Sequence, residues 1–268
     1  MKSQSVLVLL VAALYAVAPA SAKRPQFSWD SVGGMSFWHS SNTSGLLHPD
    51  AAEFVATHFQ IVTAEKWTAL DVHTANGEDM FDLIVKQLLA IEAINSNVTT
   101  IFYYNSVCNF PQYTSLYDQF QAMPDGWLRD SSGKPVMLAC AGFSAAPVFD
   151  HSNSTVRSLW ISECVNATKM GIDGCFEDRA IDGVPGNLAN KTAFDRGHTE
   201  VAGELQDAIG EDNLLVCNHC YGPPFDTKII PSNVDADMIE FCTASNTTIN
   251  QMQASQNAKR IVECHVEK

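Results

Sequence analysis

Gly171-Ile172-Asp173-Gly174-Cys175-Phe176-Glu177-Asp178 is the stretch on which the fold turns. It follows a helix-like segment, opens with small and apolar residues, and ends in two adjacent carboxylates. Read as a buried strand, its side chains alternate, so Ile172, Gly174, Phe176 and Asp178 share one face. Asp178 then stands where the strand runs out, on the side of the packed residues beneath it. A carboxylate at the C-terminal mouth of a parallel strand is where α/β barrels keep their chemistry. The plain alternative is that Asp178 caps the next turn or pairs with Arg179.

Working outward, strand-like and helix-like segments alternate. Strands are expected at Val32–Trp38, Gln60–Thr63, Thr99–Tyr104, the quoted stretch, Asn213–Cys217, Met238–Phe241 and Arg260–Cys264. Pro49 and Asp50 open a helix with Phe54 and Val55, joined by Ala51 and His58, on its apolar face. From Glu78 to Ile94 the spacing of Phe81, Ile84, Val85, Leu88 and Ile91 is helical. Asn153 or Ser154 caps a helix with Val156, Leu159, Trp160 and Cys164 inward. A further helix is expected from about Thr199 to Ile209, burying Val201, Leu205, Ala208 and Ile209. Val107 to Ala146 is too long for an ordinary connection and reads as a lid or binding loop with a hairpin inside it.

Seven strand–helix alternations without long antiparallel pairing call for a parallel sheet, of the (β/α)8 TIM-barrel type. Seven strands are one short of a closed ring. The expectation is a barrel truncated at its C-terminus, with closure by the Phe27 segment as the alternative.

The first 22 residues read as a signal peptide: Lys2, an apolar run from Val6 to Val17, then Ala20-Ser21-Ala22. That run is shorter than the roughly 20 residues of a membrane span. Removing it from 268 residues leaves 246, one barrel-sized domain over residues 23–268. Six N-glycosylation sequons, at Asn42, Asn97, Asn153, Asn166, Asn190 and Asn246, agree with secretion. The whole chain carries a formal charge of −14, and the leader contributes one lysine and no acid. So acidic a protein is a poor partner for nucleic acid or an anionic membrane. Eight cysteines in an oxidising compartment point to disulfides, and Cys108 with Cys140 is the favoured pair because both fall in the long excursion. Cys217-Asn218-His219-Cys220 is half of a zinc signature, which Cys264-His265 could complete, but no second C-x-x-C exists, and structural thiols or cystines are the favoured reading. Glycine-rich nucleotide motifs and a G-x-S-x-G elbow are absent from the sequence, so no cofactor and no metal are expected.

The runs Phe27-Ser28-Trp29-Asp30, Val62-Thr63-Ala64-Glu65-Lys66-Trp67, Phe102-Tyr103-Tyr104-Asn105-Ser106, Val148-Phe149-Asp150 and Asp173 to Asp178 together resemble the glycoside hydrolase-like TIM barrels. Those are distant relatives of the α-galactosidase and endo-α-1,4-polygalactosaminidase barrels. The resemblance covers most of the chain after the leader. It implies a catalytic Asp after strand four and a second carboxylate after strand six, which here are Asp178 and Glu240.

Glycosidic bonds are cleaved by two carboxyl groups flanking an oxocarbenium-like transition state. Asp178 is the expected nucleophile or stabilising base and Glu240 the expected general acid. Glu240 alternates with Ile239 and so can face the lumen, or it can point outward into a salt bridge. Glu65 is the rival for either role, with Lys66 beside it to hold it ionised; a plain Glu–Lys pair is the alternative. Glu177 points away from Asp178, and Asp150 reads as a helix cap. Sugars stack on aromatic rings while their hydroxyls meet polar groups. Trp38, His39, Lys66, Trp67, Tyr104, Asn105 and His219 are therefore the expected carbohydrate contacts. Two other readings are a glycan-binding barrel without turnover and a metal-dependent hydrolase using His39 and His219.

Overall fold

The computed structural model describes residues 34–37, 45–123, 125–140, 143–178, 186–218, 234–239 and 261–264. In chain order these form β1 (Gly34–Phe37), α1 (Pro49–His58), β2 (Ile61–Ala64), α2 (Leu70–Asn76), α3 (Met80–Ile94), β3 (Thr99–Asn105) and α4 (Thr114–Gln121). There follow β4 (Met137–Cys140), β5 (Phe143–Pro147), α5 (Ser154–Lys169), β6 (Gly174–Asp178), α6 (Lys191–Ile209), β7 (Leu214–Asn218), β8 (Ala236–Ile239) and β9 (Ile261–Cys264). Seven strands make one wholly parallel sheet in the order β1-β2-β3-β6-β7-β8-β9, the wall of a (β/α)8-type barrel. β4 and β5 form a separate antiparallel hairpin within the expected excursion.

β3, β6 and β7 are buried on both faces, and strand alternation sorts the wall residues into two cores. Ile101, Tyr103, Phe176, Leu214, Val216 and Ala236 pack together inside the barrel. Phe102, Tyr104, Cys175, Leu215 and Cys217 join the larger core beneath the helices. Gly174 is set by the inner layer, since a Cβ there would lie 2.3 Å from the Leu214 carbonyl oxygen and 2.9 Å from Ile101 Cδ1. Ile172 departs from the expected face and packs in the helix-side core. Alternation begins only at Gly174, because Asp173 ends the turn by accepting from the Thr100 backbone N–H at 2.9 Å.

Carboxylates and disulfides fasten the connections. Asp79 serves two helices at once: one oxygen accepts from Phe81 N–H at the start of α3, the other from Thr114 Oγ1 and Ser115 N–H at the start of α4. Each such cap is worth about 1 kcal/mol. Cys164–Cys175 ties α5 to the helix-side face of β6, and Cys108–Cys140, the favoured pair, closes the excursion. Cys217 is also disulfide-bonded, which takes its thiolate out of any zinc site.

Several local expectations shift. α1 buries Ala52, Val55 and Ala56, while Phe54 is about half exposed and stacks on His58 at 4.1 Å. α6 begins at Lys191, eight residues earlier than expected, because Asn190 caps it by accepting from Ala193 N–H; Ala208 on it is exposed. The short helices α2 and α4 lie where no helix was expected. Among the described residues no helix is long and apolar enough to cross a membrane.

Candidate active site at the C-terminal mouth of the barrel

Parallel register brings the ends of β3, β6 and β7 to one level. Asn105 is opposite Asp178, and Asp178 is opposite Asn218; one layer below, Tyr103, Phe176 and Val216 align in the same way. All four polar groups thus have lumen-facing parity. Asp178 is buried, and its carboxylate is gripped by three side-chain donors. Asn218 Nδ2 donates to Oδ1 at 2.9 Å, Asn105 Nδ2 donates to Oδ2 at 3.0 Å, and the Tyr103 hydroxyl donates to Oδ2 as well. The Asp178 backbone carbonyl accepts from Ser106 N–H and Oγ, which locks the strand end. Three donors and no acceptor among the described residues suit a carboxylate that acts as an acceptor.

The supports of Asp178 are themselves fixed. Asn105 Oδ1 accepts from the backbone N–H groups of Val107 and Cys108, and its carbonyl accepts from Trp160 Nε1 at 2.9 Å. The Tyr103 phenol is pushed well above its usual range, first by burial and then by the negative charge of Asp178. It therefore remains a proton donor at all ordinary pH values. Lys66 Nζ sits 4.5 Å from the centre of the Tyr103 ring and 3.3 Å from Glu65. Glu65 lies one step past β2 with the parity of lumen-lining Ile61, so a second carboxylate approaches the Tyr103–Asp178 pair from the β2 side.

Of the expected contacts, Glu65, Lys66, Asn105 and Asp178 are brought together. Trp67 lies half-buried in the turn after β2, where Leu70 N–H bonds its carbonyl. Tyr104 was expected at the mouth and is corrected. It is buried on the helix side, stacked on Trp160 at 5.2 Å and edge-on to Tyr113 at 5.1 Å, and its phenol is pushed up by burial and by Glu163. Counting back by two from Asn105 gives Tyr103, and that is the residue that reaches Asp178. Asn218 was also missed, although pairing Gly174 with Leu214 places it level with Asp178. Glu177 is fully buried on the opposite face from Asp178. Asp150 holds Ser152 in a turn, and the cap of α5 is Asn153. Trp38, His39, His219 and Glu240 lie outside the described residues.

A family model described as hypothetical glycosyl hydrolase family 15 matches residues 92–266, more than half of the chain. No curated protein matches by sequence. Among solved structures, the fold is similar to a Paenibacillus sp. cycloisomaltooligosaccharide glucanotransferase in complex with cycloisomaltoheptaose, with TM-score 0.62 and 14% identity. The alignment covers 91% of this chain and 38% of the glucanotransferase, so the chain spans well under half of that enzyme. It is also similar to Aspergillus fumigatus Ega3 in complex with galactosamine, with TM-score 0.55, 13% identity, and 87% and 74% of the two chains covered. For the glycoside hydrolase domain of PelA from Pseudomonas aeruginosa the values are 0.52, 12%, 87% and 81%. At these identities the likeness shows the fold, which is the (β/α)8 barrel.

Proposed function

Because the chain belongs to the hypothetical glycosyl hydrolase family 15, we propose that it is a secreted glycosidase whose Asp178 is the nucleophile or stabilising base. The observation that carries this reading is the three-donor grip of Tyr103, Asn105 and Asn218 on a lumen-facing carboxylate at the end of β6. Such preorganisation holds one oxygen pair fixed against a sugar's anomeric carbon and costs no rearrangement at the moment of reaction. The general acid is Glu240 in this reading. Glu65 is the alternative acid, already placed beside Lys66 and Tyr103. The substrate is a neutral or cationic carbohydrate, in keeping with the acidic chain. The leader and the disulfides Cys108–Cys140 and Cys164–Cys175 support secretion.

The test is a screen of the full-length protein on chromogenic glycosides and glycan arrays, repeated with Asp178→Asn, Glu240→Gln and Glu65→Gln. Turnover lost by 10²-fold or more, on the order expected for removal of a reacting group, in Asp178→Asn and in one of the two Glu variants supports the reading and identifies the acid. Glycan binding without turnover, unaltered in Asp178→Asn, overturns it in favour of a non-catalytic glycan-binding barrel.

A further inference from the structure

A second sugar-related feature lies apart from Asp178, where the excursion docks on the start of α6. Ala189 N–H bonds Arg129 O at 3.0 Å and Ser131 N–H bonds Asn187 O at 2.8 Å, which holds the 187–190 segment against the 127–131 strand-like run. Between them is a cleft of 180 Å³ lined by Asp125, Trp127, Arg129, Asp150, Ser152 and Asn190, among others. Drug-sized ligands fill roughly 300–1,000 Å³; this space is on the order of one sugar ring. Trp127 is half-buried and rigidly backed by Phe120 and Phe149, at 5.8 and 6.2 Å between ring centres. An aromatic wall with polar groups around it is how proteins hold a pyranose.

Asn190, on the rim, heads the sequon Asn190-Lys191-Thr192, and both Asn190 and Thr192 are exposed. Its cap on α6 uses Oδ1, which accepts from Ala193 N–H at 3.0 Å, and leaves Nδ2 for a glycosyl bond. Asn153, next in sequence to the lining residue Ser152, differs: it caps α5 through Oδ1 and its Nδ2 also donates to the Asp125 carbonyl. We propose that Asn190 is N-glycosylated and that its first N-acetylhexosamine ring seats in this cleft against Trp127. The donor is a lipid-linked diphosphate oligosaccharide, and the catalyst is the host's oligosaccharyltransferase. The Nδ2–C1 bond forms, the C1–O bond to diphosphate breaks, the lipid diphosphate leaves with the electron pair, and one amide proton goes to the transferase. The carbonyl of Asn190 is unchanged, so the helix cap survives modification.

This inference rests on the secretory leader and is independent of turnover at Asp178. The full chain with its own leader is expressed in glycosylating cells and its glycopeptides are mapped by mass spectrometry. Native digestion with peptide N-glycosidase F is then followed site by site. Asn190 is expected to be occupied and to lose its glycan about tenfold more slowly than Asn97 or Asn166, equivalent to 1.4 kcal/mol of contact. Trp127→Ala brings the rates together. Thr192→Ala, which removes the sequon and keeps the cap, lowers Tm by about 3 °C and serves where Trp127→Ala misfolds. An unmodified Asn190 beside occupied Asn97 or Asn166, equal release rates, or an unchanged Tm in Thr192→Ala overturns the proposal. Absence of glycan at every sequon overturns it together with the secretion reading.

Discussion

Removing the Tyr103 hydroxyl while keeping its ring isolates one bond to Asp178. Tyr103→Phe leaves the tilted ring contact with Phe176 and the Lys66 ammonium over the ring face in place. It deletes only the donor to Oδ2, which still receives Asn105 Nδ2 at 3.0 Å. A buried hydrogen bond to a charged group is worth about 1.5–3 kcal/mol, and the remaining donor places the loss toward the lower end. With 1.36 kcal/mol per tenfold in rate, kcat/KM should fall about 10- to 100-fold on a substrate found in the glycoside screen. The bond also contributes to stability, so the effect is measurable without a substrate. Urea unfolding of wild type, Tyr103→Phe, Asp178→Asn and the double variant should give a coupling of about 1–3 kcal/mol, against a scatter of roughly 0.5 kcal/mol for independent sites. Additive single effects, or an unchanged kcat/KM in Tyr103→Phe, would refute the claim that this phenol positions the carboxylate.

Glu163 on α5 is buried among Asp79, Asp82, Tyr104 and Tyr113, and burial, then Asp79 and Asp82, raise its pKa to about 7. The folded state binds this proton more tightly than the unfolded chain, so the group's contribution is complete below pH 4.5 and is lost as pH rises through 7. Glu163→Gln should therefore be about 3 kcal/mol more stable than wild type at pH 8 and equal to it near pH 4; parallel pH–stability curves would contradict this. Gly197 lies inside α6, where alanine normally gains about 1 kcal/mol. Here a Cβ would stand 2.0 Å from the His151 carbonyl oxygen and 2.7 Å from Ser152 N, both backbone. Gly197→Ala should instead cost about 3 kcal/mol and lower Tm by about 6–12 °C, and a rise in Tm would show that α6 can retreat.

The barrel wall was legible because parallel strands buried on both faces are short runs of apolar and β-branched residues between helices with periodic apolar stripes. Thr99–Asn105 and Gly174–Asp178 could be read that way, and α3 showed Ile84, Val85, Leu88 and Ile91 of its stripe, though Phe81 is only half-buried and Met80 and Leu83 complete the buried face. What failed was mostly local. Phe54 was given to the buried face of α1 by its hydrophobicity, yet that face is filled by Ala52, Val55 and Ala56, which let the helix approach α3 closely. The first half of α6 carries Lys191, Asp195 and Arg196 and shows little apolar period. It is held by the Asn190 cap and by the close approach of Gly197 to His151, a contact 46 residues away in sequence that no local pattern reveals.

The same distinction separates what was legible in the site from what was not. Asp178 could be found because its position depends only on the strand that carries it. The identities of Tyr103 and Asn218 depend on register between strands 40 and 75 residues apart in sequence. Register in turn depends on packing at the bottom of the barrel, where Gly174 admits Ile101 and lies level with Leu214. A shift of one residue between β3 and β6 would exchange Tyr103 for Tyr104 in the lumen, burying a phenol against the helices in its place. Such a shift is opposed from both ends. Asp173 accepts from Thr100 below, and Ser106 bonds the Asp178 carbonyl above. The disulfide from Cys164 to Cys175 keeps the intervening residue turned toward α5. Asp178 thus owes its three donors to contacts made along the full length of β6, and a change that loosens the strand's lower end should disturb the carboxylate as surely as a change beside it.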